Sequence, residues 1–245
     1  SGYSLLHLVI GSEGTLGVIT ELTMKLIPAP QEDVSFLLPF ENIEAAISAV
    51  PKIKLAGLDP QSIEFMERDI VDSSANYTGN KIIPTVVHDK ECGAYILVTL
   101  DGNDQDEIFQ RAERLADVGD EVGAYDVLVL SHPADKRAVW EARSAFLTVI
   151  EADTDLLDEM DVVVPVGEIS SFLNYIHEVG DEAGVAIRSF GHAGDGNLHI
   201  YCGANDMDVD EFLSRSKKVM DAAYAKCAEL NGAVSGEHGI GHAKK

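Results

Sequence analysis

Residues 185–203, VAIRSFGHAGDGNLHIYCG, read as a β-hairpin. Val185–His192 and Leu198–Gly203 are apolar-rich strands. Ala193-Gly194-Asp195-Gly196 between them carries the glycines and aspartate that suit a four-residue loop. In that pairing His192 lies opposite Asn197, and His199 follows two residues later. Side chains alternate along a strand, so His192, Asn197 and His199 emerge on one face, the two histidines ~7–8 Å apart on the diagonal.

Working outward, Met160–Pro165 reads as a strand. Glu168–Ala183 reads as a helix with Ile169, Phe172, Leu173, Ile176 and Val179 on one stripe. Phe212–Leu230 is a second helix, stopped by Asn231-Gly232, and Ala233-Val234-Ser235 is a short last strand. The same β-α-β-β-α-β order occurs earlier. There it comprises strand Val34–Phe40, helix Glu41–Val50 closed by Pro51, strand Leu58–Phe65, strand Ala94–Leu100, helix Asp104–Val118 and strand Tyr125–Leu130. Residues 67–90 read as irregular, and a helix over Asp135–Ile150 links the halves. The spacing predicts an α+β fold: tandem ferredoxin-like units forming a largely antiparallel sheet with helices packed on it. The repetition is one of element order, not of residue identity.

Residues 1–30 differ. Tyr3–Ile10 is apolar, Gly11-Ser12-Glu13-Gly14-Thr15-Leu16-Gly17 is a glycine-rich loop, and Val18–Ile27 alternates like a strand before Pro28-Ala29-Pro30. The segment reads as the end of a domain whose beginning lies outside this chain.

The chain has 245 residues and a formal charge of −24. That charge disfavours a phosphate backbone or an anionic lipid surface as partner. Lys217-Lys218 and Lys244-Lys245 are only pairs. Cys92, Cys202 and Cys227 have no paired spacing and read as core thiols in a reducing compartment. No apolar run reaches the ~20 residues of a membrane helix, and no signal-peptide pattern opens the chain. A cytoplasmic protein is the expectation.

Two imidazoles on one hairpin face can converge on a metal ion, although a glycine hairpin with two ordinary histidines is the plainer alternative. A second glycine loop, Ser235-Gly236-Glu237-His238-Gly239-Ile240-Gly241, sets a carboxylate beside an imidazole. Glu237 would complete a His-His-carboxylate site while His238 faces a neighbouring substrate. Gly191, Gly194 and Gly196 are no dinucleotide fingerprint, because the spacing is wrong and a strand follows. Trp140, Arg143, Ser144 and Leu147 share a helical face by spacing. Arg143 suits a substrate carboxylate, or equally a pairing with Glu141 or Asp153; Arg188 competes for the same role.

Three stretches in order, Gly11–Thr20, His192-x-Gly-Asp-Gly-Asn-x-His199 and Ser235–Gly241, resemble the later part of the FAD-linked oxidase family. That family comprises D-lactate dehydrogenases, glycolate oxidase subunits and D-2-hydroxyglutarate dehydrogenases. The resemblance implies that residues 1–29 end an FAD-binding domain, with Gly11, Ser12, Glu13, Gly14, Thr15, Gly17 and Ile19 beside the flavin. Residues 30–245 would be the substrate-binding cap, ending short of the family's own terminus. It implies a divalent metal (Zn, Mn or Fe) on His192, His199 and Glu237, His238 as catalytic base, and Arg143 and Asn197 near the substrate. The implied reaction oxidises a small D-2-hydroxy acid to the 2-oxo acid, with hydride passing to FAD. An electron-transfer flavoprotein or iron–sulfur protein would be the partner. Glu159 stands where hydroxyglutarate-specific members carry a lysine, which favours lactate or glycolate. On its own the piece is expected to be inactive. The residues also leave open a metal-dependent hydrolase, or a non-catalytic module docking an electron-transfer partner.

Overall fold

The computed structural model describes residues 2–241; Ser1 and residues 242–245, with the Lys244-Lys245 pair, lie outside the described residues. After a short helix α1 (Leu5–Val9), the first unit runs β1 (Glu32–Phe40), α2 (Ile43–Leu55), β2 (Ser62–Glu67), β5 (Ala94–Gly102), α4 (Gln105–Val122) and β6 (Leu128–Leu130). Between β2 and β5 lie α3 (Arg68–Thr78) and a two-stranded ribbon, β3 (Val86–Val87) with β4 (Lys90–Glu91). Two linking helices follow, α5 (Pro133–Ser144) and α6 (Phe146–Asp153). The second unit runs β7 (Leu156–Val163), α7 (Ile169–Ala183), β8 (Ala186–His192), β9 (Asn197–Ala204) and α8 (Val209–Glu229).

Among the described residues, seven strands form one sheet in the order β6-β1-β5-β2-β8-β9-β7, and every pairing in it is antiparallel. In each unit the first strand lies beside the third and the second strand lies outermost, as in the ferredoxin-like arrangement. The two outermost strands, β2 and β8, meet through Phe65↔Gly191 and Met66↔Phe190. Ala233 bridges Val163 on the far side of β7, where the fourth strand of the second unit belongs.

Alternation sorts the side chains into two layers. Phe36, Phe65, Ile96, Val162, Leu198 and Ile200 face one side with α2, α4, α7 and α8. Met66, Tyr95, Leu97, Phe190 and Tyr201 face the other, covered by α3, α5 and α6. That second face carries the site.

The structure departs from the sequence expectations in five places. Helix α2 runs through Pro51 to Leu55. An interior proline costs about 3 kcal/mol, but Ile53 beyond it is fully buried, and such burial contributes ~1.5–3 kcal/mol. Residues 68–78 are helical despite their Asp, Ser and Asn content. Ile70, Val71 and Ser74 are buried, Arg68 pairs with Asp72 at 2.7 Å, and Gly79 closes the helix with φ 73°. The linking helix breaks at Ala145, so Trp140 and Arg143 face inward while Ser144 and Leu147 are exposed. Residues 233–235 form a bridge and a bend, not a strand. Val18–Ile27 forms no strand, and Val18, Leu26 and Ile27 are almost wholly exposed, because no described strand runs beside it to complete a ladder.

Candidate metal-assisted active site

The hairpin register places His192 opposite Asn197, Phe190 opposite His199, and Asp161 of β7 opposite His199 on its other side. The tight turn depends on glycine. A Cβ at Gly191 would overlap the Asn197 carbonyl, and Gly196, at φ 78°, sits against the Val164 carbonyl. Gly194 N–H donates to Ile63 O at 3.1 Å, and Lys54 Nζ donates to Gly194 O, which fixes the loop against the first unit.

The loop after α8 is brought in by one carboxylate. Asp161 is fully buried, and its Oδ2 accepts from the amides of Gly236 (3.0 Å), Glu237 (2.8 Å) and His238 (2.7 Å). Burial opposes its charge, but the amides of His238 and Glu237 outweigh it and hold the carboxyl below its ordinary pKa. A side chain at Gly236 would overlap Asn197 Oδ1 and Asp161 Oδ1, so only glycine lets the backbone come this close.

Glu237 Oε1 consequently lies 3.5 Å from His192 Nε2 and 3.4 Å from His199 Nε2. These two nitrogens and the carboxylate oxygen lie within 4.8 Å of one another. Two imidazole nitrogens and a carboxylate oxygen on convergent elements suit a zinc-, manganese- or iron-type ion with open positions. The far side of each imidazole meets an acid. His192 Nδ1 is 2.9 Å from Glu64 Oε1, and His199 Nδ1 is 3.8 Å from Asp161 Oδ1. Glu64 is itself held by Arg143 Nη2 at 2.9 Å. Burial, followed by repulsion from His192, lowers the His199 pKa to about 4, so this ring is a neutral donor at neutral pH. The hydrogen bond to Glu64 is the main force raising the pKa of His192.

His238 stacks on His199 with centroids 5.1 Å apart, and its Nδ1 lies 3.4 Å from Glu159 Oε1. Four buried polar atoms around this point have no hydrogen-bond partner among the described residues: Arg143 Nε, Asp161 Oδ1, Asn197 Oδ1 and His199 Nδ1. Buried polar atoms without partners are rare in folded chains, and here they gather at one place. A cavity of about 620 Å³ adjoins it, lined on one side by Gly11, Glu13 and Ile19 and on the other by Glu237 and His238. Glu13 Oε2 accepts from the Ile240 amide at 2.9 Å, which ties the two glycine loops together.

The family described as FAD linked oxidases, C-terminal domain, matches residues 29–245. The chain belongs to the FAD-linked oxidase family. It is 50% identical over 244 residues to a D-lactate dehydrogenase of Anaerostipes hadrus, covering 100% of this chain and 51% of that protein. It is 32% identical over 249 residues to the glycolate oxidase subunit GlcD of Bacillus subtilis, covering 100% of this chain and 50% of that one. The chain thus spans about half the length of these curated relatives. An alkyldihydroxyacetonephosphate synthase structure shares the fold with a TM-score of 0.62 at 15% identity, over 97% of this chain and 46% of that one.

Within this FAD-linked oxidase domain, the structure brings together His192, Asn197, His199, Glu237 and His238 on the second face. Gly11, Ser12, Glu13, Gly14, Gly17 and Ile19 line the adjoining cavity; Thr15 instead donates back to Ser12 O at 2.6 Å. Arg143 is close but largely enclosed, with its side chain 10% exposed and its guanidinium 4.5 Å above the Phe190 ring. Arg188 shares the face yet is engaged by Asp69 (3.3 Å) and Asp153 (3.4 Å), away from the histidines. Sequence reasoning missed Glu64 and Asp161, each a buried acid between apolar neighbours in a strand. The three cysteines are buried and unbridged, and no described helix is long and apolar enough to cross a membrane.

Proposed function

We propose that the full protein oxidises a small D-2-hydroxy acid of lactate or glycolate type to the 2-oxo acid, with the hydride passing to FAD. One observation carries the reading: Glu237 and His238 line one cavity with the loop around Gly11–Ile19, and Glu237 also approaches His192 and His199. The relatives named for D-lactate and glycolate oxidation support the substrate class. Residues 1–29 are read as the last part of the flavin domain. Their exposed Leu5, Leu8, Leu22 and Ile27 are consistent with burial against the rest of it.

His192, His199 and Glu237 would hold a divalent ion. Gly11, Ser12, Glu13, Gly14, Gly17 and Ile19 would border the flavin. When bound, the ion would supply Lewis-acid polarisation of the substrate hydroxyl, and the flavin would supply the hydride acceptor for Cα. His238 takes the hydroxyl proton, its ring held by the stack on His199 and the approach of Glu159. Arg143, whose buried Nε lacks a hydrogen-bond partner, would fix the substrate carboxylate, while Asn197, whose unpartnered Oδ1 only accepts, would help orient the substrate. Glu159 lies beside His238 and would repel a second carboxylate on the substrate, which favours short hydroxy acids. An electron-transfer flavoprotein or an iron–sulfur protein would be the electron-accepting partner.

The test uses the full-length protein, with dye reduction on D-lactate and glycolate and elemental analysis for metal. Glu237→Ala is expected to lose metal and activity together. His238→Ala is expected to keep metal and lose rate by ~10²–10⁴-fold. Variants that both keep metal and full rate would refute the reading, as would ester or amide hydrolysis in place of dye reduction.

A further inference from the structure

Glu64 lies in the middle of β2 with a side chain 4% exposed. A carboxylate is seldom placed there unless both oxygens are engaged, because removing its charge from water is costly. Both are engaged. Oε1 is 2.9 Å from His192 Nδ1, and Oε2 accepts from Arg143 Nη2 at 2.9 Å. An ionised carboxylate only accepts, so His192 must carry its proton on Nδ1. In the neutral ring that leaves the Nε2 lone pair free, and Nε2 is the atom 3.5 Å from Glu237 Oε1. Arg143 packs over Phe190 and also approaches Phe146, with 5.7 Å to the ring centroid, so Glu64 is anchored from behind.

The contact also crosses from one unit to the other. Glu64 belongs to the first unit and His192 to the second, and β2 and β8 pair only at Phe65↔Gly191 and Met66↔Phe190. Glu64 therefore links the ligand histidine to a different half of the chain through a charged hydrogen bond.

We propose that Glu64 is a positioning residue for the metal ligand His192, fixing its tautomer and ring orientation and, through its charge, strengthening the donor nitrogen. This rests on the metal reading above. Such partners behind a ligating histidine typically change metal affinity 10–100-fold when removed. A Glu64 that served only to neutralise buried Arg143 would affect folding and leave metal affinity alone.

The experiment is titration of metal-free, full-length protein with Zn²⁺ or Mn²⁺, read as Kd, alongside a thermal melt. The parent binds one ion and His199→Ala does not. Glu64→Gln keeps the shape but removes the charge, and is expected to weaken binding at least ~10-fold. Glu64→Gln leaves Arg143 without a counter-charge; if it does not fold, Glu64→Gln/Arg143→Met removes both charges and reads the same quantity. A Kd within twofold of the parent, with the melt lowered, overturns the positioning role while sparing the metal site. Failure of the parent itself to bind either ion overturns the metal reading and this inference with it.

Discussion

Replacing Asp161 with asparagine probes the assembly of the site at its most economical point. One oxygen of this carboxylate accepts from three consecutive amides, those of Gly236, Glu237 and His238. A hydrogen bond to a charged group contributes about 1.5–3 kcal/mol, against about 1 kcal/mol for a neutral one. Three bonds converge on a single atom, so their losses overlap; removing the charge is expected to cost about 2–3 kcal/mol in loop docking. At 1.4 kcal/mol per factor of ten, that is about 30–150-fold in the docking equilibrium. The loop can release without unfolding the sheet, so whole-domain melting should move far less. Hydrogen exchange is the assay. The three amides should be protected in the parent and exchange about 30–150-fold faster in Asp161→Asn, with metal affinity falling because Glu237 travels with the loop. The folded-state pKa of Asp161 is depressed. Its contribution is therefore complete above the ordinary carboxyl range and is lost as pH falls through the depressed value. Equal exchange rates at these amides in parent and variant would refute the reasoning.

Three further outcomes are expected. His199, with its pKa lowered to about 4 chiefly by burial, should show no ring titration by NMR between about pH 8 and 5.5, where an ordinary imidazole would titrate; a midpoint near 6.5 would contradict the burial described. The same shift makes the fold lose stability as pH drops below about 6.5, because the unfolded chain takes the proton first. Gly236→Ala should sharply weaken metal binding or folding, since its Cβ would overlap Asn197 and Asp161; normal affinity and melting would show that the loop has room to retreat. In the full-length protein Arg143→Lys should lower kcat/KM on D-lactate by about 10–150-fold, the equivalent of one charged hydrogen bond, and unchanged kinetics would place the carboxylate clamp elsewhere.

Much of the site was legible because it is local. The hairpin around Gly194 announces itself by alternation and glycine, and the register His192↔Asn197 follows from loop length. Glu64 and Asp161 were not found, although each leaves a trace: a single acid at an alternating position within Ile63-Glu64-Phe65 or Met160-Asp161-Val162. Such an acid buried within a strand needs a partner, but alternation alone does not say which side chain supplies it. Helix α3 was hidden for the opposite reason. Its Asp-Ser-Ser-Ala-Asn run has weak intrinsic preference for helix, and the helix forms because Ile70 and Val71 bury against the sheet. In Val18–Ile27 the alternation is plain, but a strand is a relation between two segments, and the described residues supply only one.

The meeting of β2 with β8 has a consequence for what can be cut from this chain. Each is the outermost strand of its own unit, and each satisfies the other. Divided between α6 and β7, the two halves would both expose a flat strand edge, Ile63–Met66 on one and Phe190-Gly191 on the other, rich in apolar side chains. Such edges recruit copies of themselves, so neither half should remain monomeric when expressed alone. Mixed together they have a defined partner, and the same pairing that threatens each piece with aggregation would let them reassemble as a complementing pair.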